Sequence, residues 1–248
     1  MVAHDPALER EISGFFRQIG DGGWFPDDVD ERSPQLALVR DILRPSAGMR
    51  ILDAGCARGR FLRHLQSSGA QLVGVDLTEV FLHSAHRNVP QAAFAGGSLS
   101  ALPFRASSFD AVFCIEALEH LPDTEAAIRQ MARVLNPEGV LLVIDKNLSG
   151  LNHRNGIPNA IWKPWMERQG KWMYPNDFRF RERWFHPREL AALMKRHFAS
   201  VSVTFPTEGF GRASRLYRML PFLSFEAAWV ARRPIGSPEL AGAAVQIS

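Results

Sequence analysis

R-I-L-D-A-G-C-A-R-G-R-F, residues Arg50 to Phe61, changes character halfway along. Ile51 and Leu52 form a short apolar run that reaches Asp53, and glycines follow at 55 and 59. Beyond the second glycine, Phe61, Leu62 and Leu65 fall at helical spacing. A buried strand feeding a glycine turn and a helix N-terminus is how α/β folds bring backbone close to a nucleotide-like ligand. Glycine serves there because a Cβ would block the approach, or because φ must be positive.

The same alternation continues outward. Strands are expected at 50–54, 72–76, 92–95, 110–115 and 140–145, with helices at 59–68, after Thr78, and at 123–135. Apolar strands alternating with helices imply a parallel sheet covered on both faces. Right-handed crossovers then give a doubly wound α/β fold, with ligands beyond the strands' C-terminal ends. A helix at 187–197, a strand at 199–205 and a last strand near Phe225–Ala231 complete a mostly parallel seven-stranded sheet. Upstream, 1–20 and 33–43 read as two helices that form a flap over the sheet edge (1–45). The main domain runs over 46–233, and 234–248 reads as a flexible tail. Residues 146–185 break the rhythm with Gly, Asn, Pro and aromatics and read as an insertion, a lid.

Composition, 46% hydrophobic and 22% charged, is that of a soluble globular chain. The start lacks a basic-then-apolar signal, and Val140–Ile144 is far too short to span a bilayer. Two cysteines, Cys56 and Cys114, make neither a disulfide framework nor a zinc spacing. A reduced, cytoplasmic protein is the expectation. The net charge of +3 is unevenly placed: residues 146–188 carry nine Lys/Arg against three Asp/Glu, leaving the rest of the chain net acidic. That segment is the candidate for meeting an anionic group.

The spacing of the turn narrows the ligand. A dinucleotide fingerprint needs G-x-G-x-x-G, whereas this turn reads D-x-G-x-x-x-G. An acid at the strand end repels a pyrophosphate and suits a cationic amino-acid group. The ligand that fits joins an amino acid to a nucleoside, with an ammonium, a sulfonium and no phosphate. Here the chain resembles class I S-adenosylmethionine-dependent methyltransferases, whose first motif reads L-D-x-G-x-G-x-G, with Ala57 standing at the middle glycine. The resemblance runs from about Arg50 to Asp145 and places Asp53, Ala54, Gly55, Cys56 and Gly59 around the cofactor. Asp76, with Leu77 beside it, falls at the second strand's end, where a carboxylate accepts both ribose hydroxyls. Gly97-Ser98-Leu99 with Leu102-Pro103-Phe104 is similar to the family's G-D-x-x-x-L-P-F block. Ser98 replaces the acid that takes the adenine amine, and a hydroxyl accepts that bond more weakly. Phe109-Asp110 through His120 resembles the F-D-x-V block, which implies Ile115 and Glu116 along the methionine part of the cofactor.

Methyl transfer needs an aligned nucleophile whose proton is removed or masked. Glu116, Glu119 and His120 stand at i, i+3 and i+4 and would share one face of a helical turn. His120 is the candidate base because an imidazole titrates near neutrality. The same trio could hold a divalent cation such as magnesium, as the resemblance to quinone-pathway and small-RNA O-methyltransferases implies, with His153 or His186 completing the set. The lid, with Trp162, Trp165, Trp172, Tyr174, Arg179 and Arg181, and Trp24 and Phe25 upstream, would bind the acceptor. Aromatics with arginines suit a small acceptor that is hydrophobic and anionic: a carboxylated aromatic, a phosphorylated lipid or a natural-product intermediate.

O-methylation is the first reading, with C- or N-methylation by the same fold, RNA methylation and a dinucleotide-dependent oxidoreductase as alternatives. Nucleic acid is disfavoured because the basic excess is small and no basic tail is appended. Peripheral contact with a membrane through the lid or residues 210–225 is also open.

Overall fold

The central strands are continuous apolar runs because both of their faces are buried, and successive residues serve opposite cores. In β1 (Arg50–Ala54), Ile51 enters one core while Leu52 and Ala54 enter the other. In β4 (Phe109–Ile115), Ala111, Phe113 and Ile115 face the first core, and Val112 and Cys114 the second. β5 (Leu135–Lys146) and β7 (Glu226–Pro234) alternate in the same way through Leu141/Leu142 and Ala228/Trp229. With β2 (Gln71–Asp76), β3 (Ala93–Gly96) and β6 (Phe198–Thr204), the sheet has seven strands in the order β3-β2-β1-β4-β5-β7-β6. The first five are parallel, and β7 runs antiparallel to both β5 and β6. This computed structural model describes residues 5–20, 25–171, 174–175, 177–206 and 214–235.

Helices cover both faces. α4 (Thr124–Val134) and α6 (Pro187–Met194) bury Ile128, Met131, Leu190 and Met194 on one side. α2 (Pro34–Leu43) and α3 (Glu79–Asn88) bury Leu36, Val39, Leu43 and Leu82 on the other. α2 therefore belongs to the cover of the sheet face and not to a flap over its edge. Its three buried side chains share a core with Ile51, Phe113 and Leu142. α1 (Pro6–Ile19) is the element that lies over the strand ends, where Glu9, Ile12 and Phe16 line a cavity.

The helix expected at 59–68 is a 3-10 helix at Leu62–Ser68. A threefold repeat stacks the buried Leu62 and Leu65 on one side, and Gly69 at φ +74° ends it. Among its described residues, the 146–185 segment holds one helix, α5 (Asn159–Arg168). α7 (Ser214–Met219) precedes a 3-10 turn at Pro221–Leu223 and the last strand. Cys56 and Cys114 are buried free thiols. Among the described residues, no helix is long and apolar enough to cross a membrane. The strand order reverses between β1 and β4, which opens a crevice at their C-terminal ends.

Candidate active site

The turn after β1 is laced to its neighbour: Gly55 and Cys56 both donate their N–H to Val75 O, at 2.9 and 3.0 Å. Gly55 sits at φ +88°, and a Cβ there would lie 2.5 Å from Ala117 Cβ. The close approach that glycine permits is thus to the loop after β4, which draws the two crevice walls together. Ala57, in the place of a glycine, is held at φ +42°, the left-handed region that Cβ disfavours. Its N–H donates to Asp76 Oδ2 at 2.9 Å, so the bend of the turn is fastened to the carboxylate at the end of β2. Asp76 Oδ1 accepts from Thr78 N at 2.8 Å. Each oxygen keeps a lone pair for a further donor.

Asp53 is 2% exposed and lines the crevice, with Oδ2 lacking any hydrogen-bond partner. Burial pushes its carboxyl well above the usual range, against the pull of Arg60. A buried carboxylate oxygen facing a cavity without a donor is costly unless a ligand supplies one. At the end of β3, Ser98 Oγ donates to Glu9 Oε1 at 2.9 Å and accepts from Ser100 N at 3.0 Å. The serine hydroxyl is therefore largely committed, and a buried carboxylate from α1 stands beside it in the cavity.

Beyond β4 the groups are side chains. Glu116, itself at φ +51°, accepts from Arg60 at 2.7 Å and lies 3.5 Å from Lys146 Nζ. Against the cost of burial, Lys146 and Arg60 hold its carboxyl down at about 2. Lys146 Nζ also donates to Glu119 Oε1. Burial works against the charge on Lys146, yet Glu119 and Glu116 hold its pKa well above the ordinary value. Glu119 is 1% exposed with Oε2 unpartnered, and burial raises its pKa. His120 closes the short 3-10 turn Leu118–His120. Its Nδ1 is 3.1 Å from Tyr174 Oη and 3.9 Å from Glu182 Oε1, while Nε2 is 3.4 Å from Glu119 Oε1. Burial lowers its pKa to about 4, so the imidazole is neutral at pH 7.

These groups share a cavity of about 540 Å³. Asp53, Gly55, Cys56, Asp76, Leu77 and Ser98 line it, as do Leu99, Ile115, Glu116, Glu119 and His120. Phe25 and Trp162 line it as well. Several expected residues do not. Ala54 is buried in the sheet core, and Gly59 packs 3.1 Å, by its virtual Cβ, from Val89. Trp165 is half exposed on the outer face of α5. Arg179 pairs with Glu11 and Asp5 of the N-terminal segment, and Arg181 donates to the carbonyls of Pro175, Phe178 and Phe180. Both guanidiniums are thus engaged, by acids at the N-terminal helix and by carbonyls of the 146–185 segment. Tyr174 acts behind His120, stacked on Phe178. Trp24 and Trp172 lie outside the described residues.

The expected metal trio is split as well. Glu116 turns to Arg60 and Lys146, and the donors that converge within 4.8 Å are Glu119, His120 and Glu182. Of the two outlying histidines, His153 lines the cavity, whereas His186 is bonded to Ser149. Sequence reasoning missed Glu9, Arg60, Lys146 and Glu182, which line the same cavity. Arg60, beside the second glycine of the 50–61 stretch, and Lys146, at the β5 strand end, occupied positions that could have drawn notice.

Residues 52–143 match the family model described as a methyltransferase domain. An uncharacterized methyltransferase of Synechocystis is 33% identical over 149 residues, 59% of this chain and 69% of that protein. The chain belongs to the class I S-adenosylmethionine-dependent methyltransferases. A ubiquinone biosynthesis O-methyltransferase of Xanthomonas axonopodis is 39% identical over 119 residues, spanning 46% of this methyltransferase and about half, 49%, of that relative. A solved methyltransferase structure from Thermotoga maritima superposes with a TM-score of 0.60 at 17% identity, covering 90% of this chain and 99% of that one, which shows the shared fold. The cofactor is S-adenosylmethionine, and the crevice suits it chemically. The donor-less Asp53 Oδ2 matches an ammonium, and Asp76 retains acceptor capacity for a pair of hydroxyls.

Proposed function

We propose that this methyltransferase transfers a methyl group to an oxygen of a small, hydrophobic and anionic acceptor, with His120 as the base. The observation that carries this reading is a neutral, buried imidazole flanked by two carboxylates, at the crevice end where β4 meets the lid. Relatives named as O-methyltransferases support oxygen as the methylated atom. In this reading Asp53 takes the cofactor's ammonium and Asp76 its ribose hydroxyls. Gly55, Cys56, Leu77, Leu99, Ile115 and Glu116 form the walls, and Glu9 with Ser98 receives the adenine amine. S-adenosylmethionine supplies an electrophilic methyl carbon and leaves as a neutral thioether.

The chain's own part is to position the acceptor and accept its proton. With Nδ1–H donated to the Tyr174 phenol oxygen, Nε2 of His120 keeps its lone pair for the acceptor hydroxyl proton. The resulting imidazolium is stabilised by Glu119 and Glu182 on either side. Phe16, Phe25, Trp162, Met166 and Phe225 give the cavity an apolar wall, while Arg154 and Lys171 offer charge to an anionic substituent. The segment 146–185 together with α1 acts as the acceptor lid. Lys146 already serves as the cation between Glu116 and Glu119, so in this reading no divalent ion takes part, and exhaustive chelation is expected to leave turnover unchanged.

A screen of hydroxylated aromatic acids and prenylated phenols with a labelled methyl donor tests the reading, with NMR of the product locating the new methyl. His120→Gln is expected to lower kcat by about 100-fold or more while S-adenosylhomocysteine affinity stays within about twofold. Undiminished turnover in that variant removes His120 from the mechanism, and a product methylated at nitrogen or carbon removes the oxygen assignment.

A further inference from the structure

Of nine large apolar side chains exposed among the described residues, seven lie on two neighbouring elements, α5 with the turn before it and α7 with the turn after it. Scattered exposed apolar residues need no explanation, but such a concentration does. On α5, Ile161 and Trp165 stand one turn apart on the outer face, and Ile157 is exposed in the turn just before the helix. The opposite side of the same helix puts Trp162 and Met166 into the cavity wall. A helix that is apolar on two faces requires a partner for each, and among the described residues only the inner face has one. α7 repeats the pattern: Tyr217 is buried and donates to Leu151 O at 2.9 Å, while Leu216, Met219 and Leu220 face outward. Met219 is 80% exposed, and Phe222 follows on the next turn.

The two elements hang from one point. Leu151 N donates to Leu223 O and Asn159 N to Gly150 O, both at 2.9 Å. Gly150 runs so close to the chain before β7 that an added Cβ would stand 2.1 Å from Ser224 O. Charge around this face has one sign. Arg154, Arg168 and Lys171 are exposed beside α5, and Arg215 and Arg218 on α7. Across residues 147–171 and 214–224 the one acid is Glu167, which Lys163 engages.

We propose that this face docks on an anionic phospholipid bilayer, with the outer side of α5 and the α7 turn seated among the headgroups. Apolar side chains bordered by cations are what an interfacial helix needs, and the amphipathic indole of Trp165 suits the headgroup boundary. Docking would bring the cavity wall to within about 10 Å of the lipid, the width of one helix. A lipophilic acceptor would then reach the cavity from the membrane; that consequence rests on the acceptor class proposed above, whereas the docking itself does not.

Flotation of the full chain with vesicles tests this, using phosphatidylcholine alone and phosphatidylcholine containing about one third phosphatidylglycerol. The wild-type protein is expected to float with the anionic vesicles and to be released as salt rises to about 0.5 M. Ile161→Ser/Met219→Ser should reduce the bound fraction about tenfold with melting temperature and S-adenosylhomocysteine affinity unchanged. Arg215→Glu/Arg218→Glu should abolish the preference for anionic lipid. No flotation, flotation indifferent to both variants, or a dimer in solution that Ile161→Ser/Met219→Ser dissolves would each overturn the proposal. Product formation on a water-soluble acceptor, followed in parallel, separates the two readings. Flotation without an O-methylated product leaves docking standing and removes the acceptor assignment; product without flotation does the reverse.

Discussion

On the β1–β3 side of the crevice, the ligand-facing groups sit at consecutive strand ends and are held by backbone: Gly55 and Cys56 on Val75 O, Ala57 on Asp76. On the β4–β5 side they are side chains from three separate segments, Glu116 to His120, Lys146 and Glu182, held by one another's charge and, behind His120, by Tyr174. The first side is rigid because main-chain hydrogen bonds and the sheet register specify it. The second depends on mutual compensation, so a change at one member alters the protonation of the others. In the proposed reading, a donor site that must accept one invariant ligand is thereby separated from an acceptor site free to vary.

The largest effect that would sharpen this contrast is expected from Lys146→Met. It leaves Glu119 buried without a cation and Glu116 with Arg60 alone, and about 3–5 kcal/mol of stability should be lost. Chemical denaturation measures it, and adding Glu119→Gln should recover part of the loss. A neutral Lys146→Met would mean that the acceptor side is not held together by charge.

The pH dependence comes next. His120 titrates near 4 in the folded protein because of burial, against 6.5 in an unfolded chain. Between pH 6.5 and 4 the unfolded state takes up a proton that the folded state refuses. Stability is therefore lost over that window as pH falls, by about 3 kcal/mol, and no further below it. Asp145, raised to about 7 by burial, contributes in the opposite direction as pH drops below 7. The difference between wild type and His120→Gln isolates the histidine, and the variant should gain relative stability steadily below pH 6.5. Parallel stability curves would contradict a neutral buried imidazole.

On the donor side, Asp53→Ala should weaken S-adenosylhomocysteine binding about 10- to 100-fold, the worth of one charge-assisted hydrogen bond. Calorimetry should show this, while the stability of the unliganded protein does not fall, because the buried carboxylate is costly without a ligand. The smallest effect is Ala57→Gly, which relieves the left-handed φ at the bend and should stabilise the protein by about 1 kcal/mol, read as a raised melting temperature. If Ala57→Gly destabilises, the strain assigned to the donor turn is misplaced.

The same contrast explains what could be read from the chain itself. Strand alternation, the 53–59 turn and Asp76 are local patterns, and β1, β2 and β4 appear where the apolar runs place them. Residue pairs such as Tyr174 with His120, or Glu9 with Ser98, form only once distant segments meet, and no periodicity encodes them. Arg179 and Arg181 show the converse. Their position among aromatics suggested an anionic acceptor, yet their guanidiniums satisfy α1 acids and lid carbonyls. The turn Leu118–His120 has enough curvature to bring Glu119 and His120 together, but the positive φ of Glu116 sends that carboxylate toward Arg60 instead.

A crystal structure of the protein with S-adenosylhomocysteine bound tests the central claim most directly. The expected result is the amino-acid ammonium on Asp53, the ribose hydroxyls on Asp76, the purine between Glu9 and Ser98, and the sulfur turned toward His120. A ligand seated away from the 53–59 turn, or with its sulfur facing away from the Glu119–His120–Glu182 cluster, would contradict it.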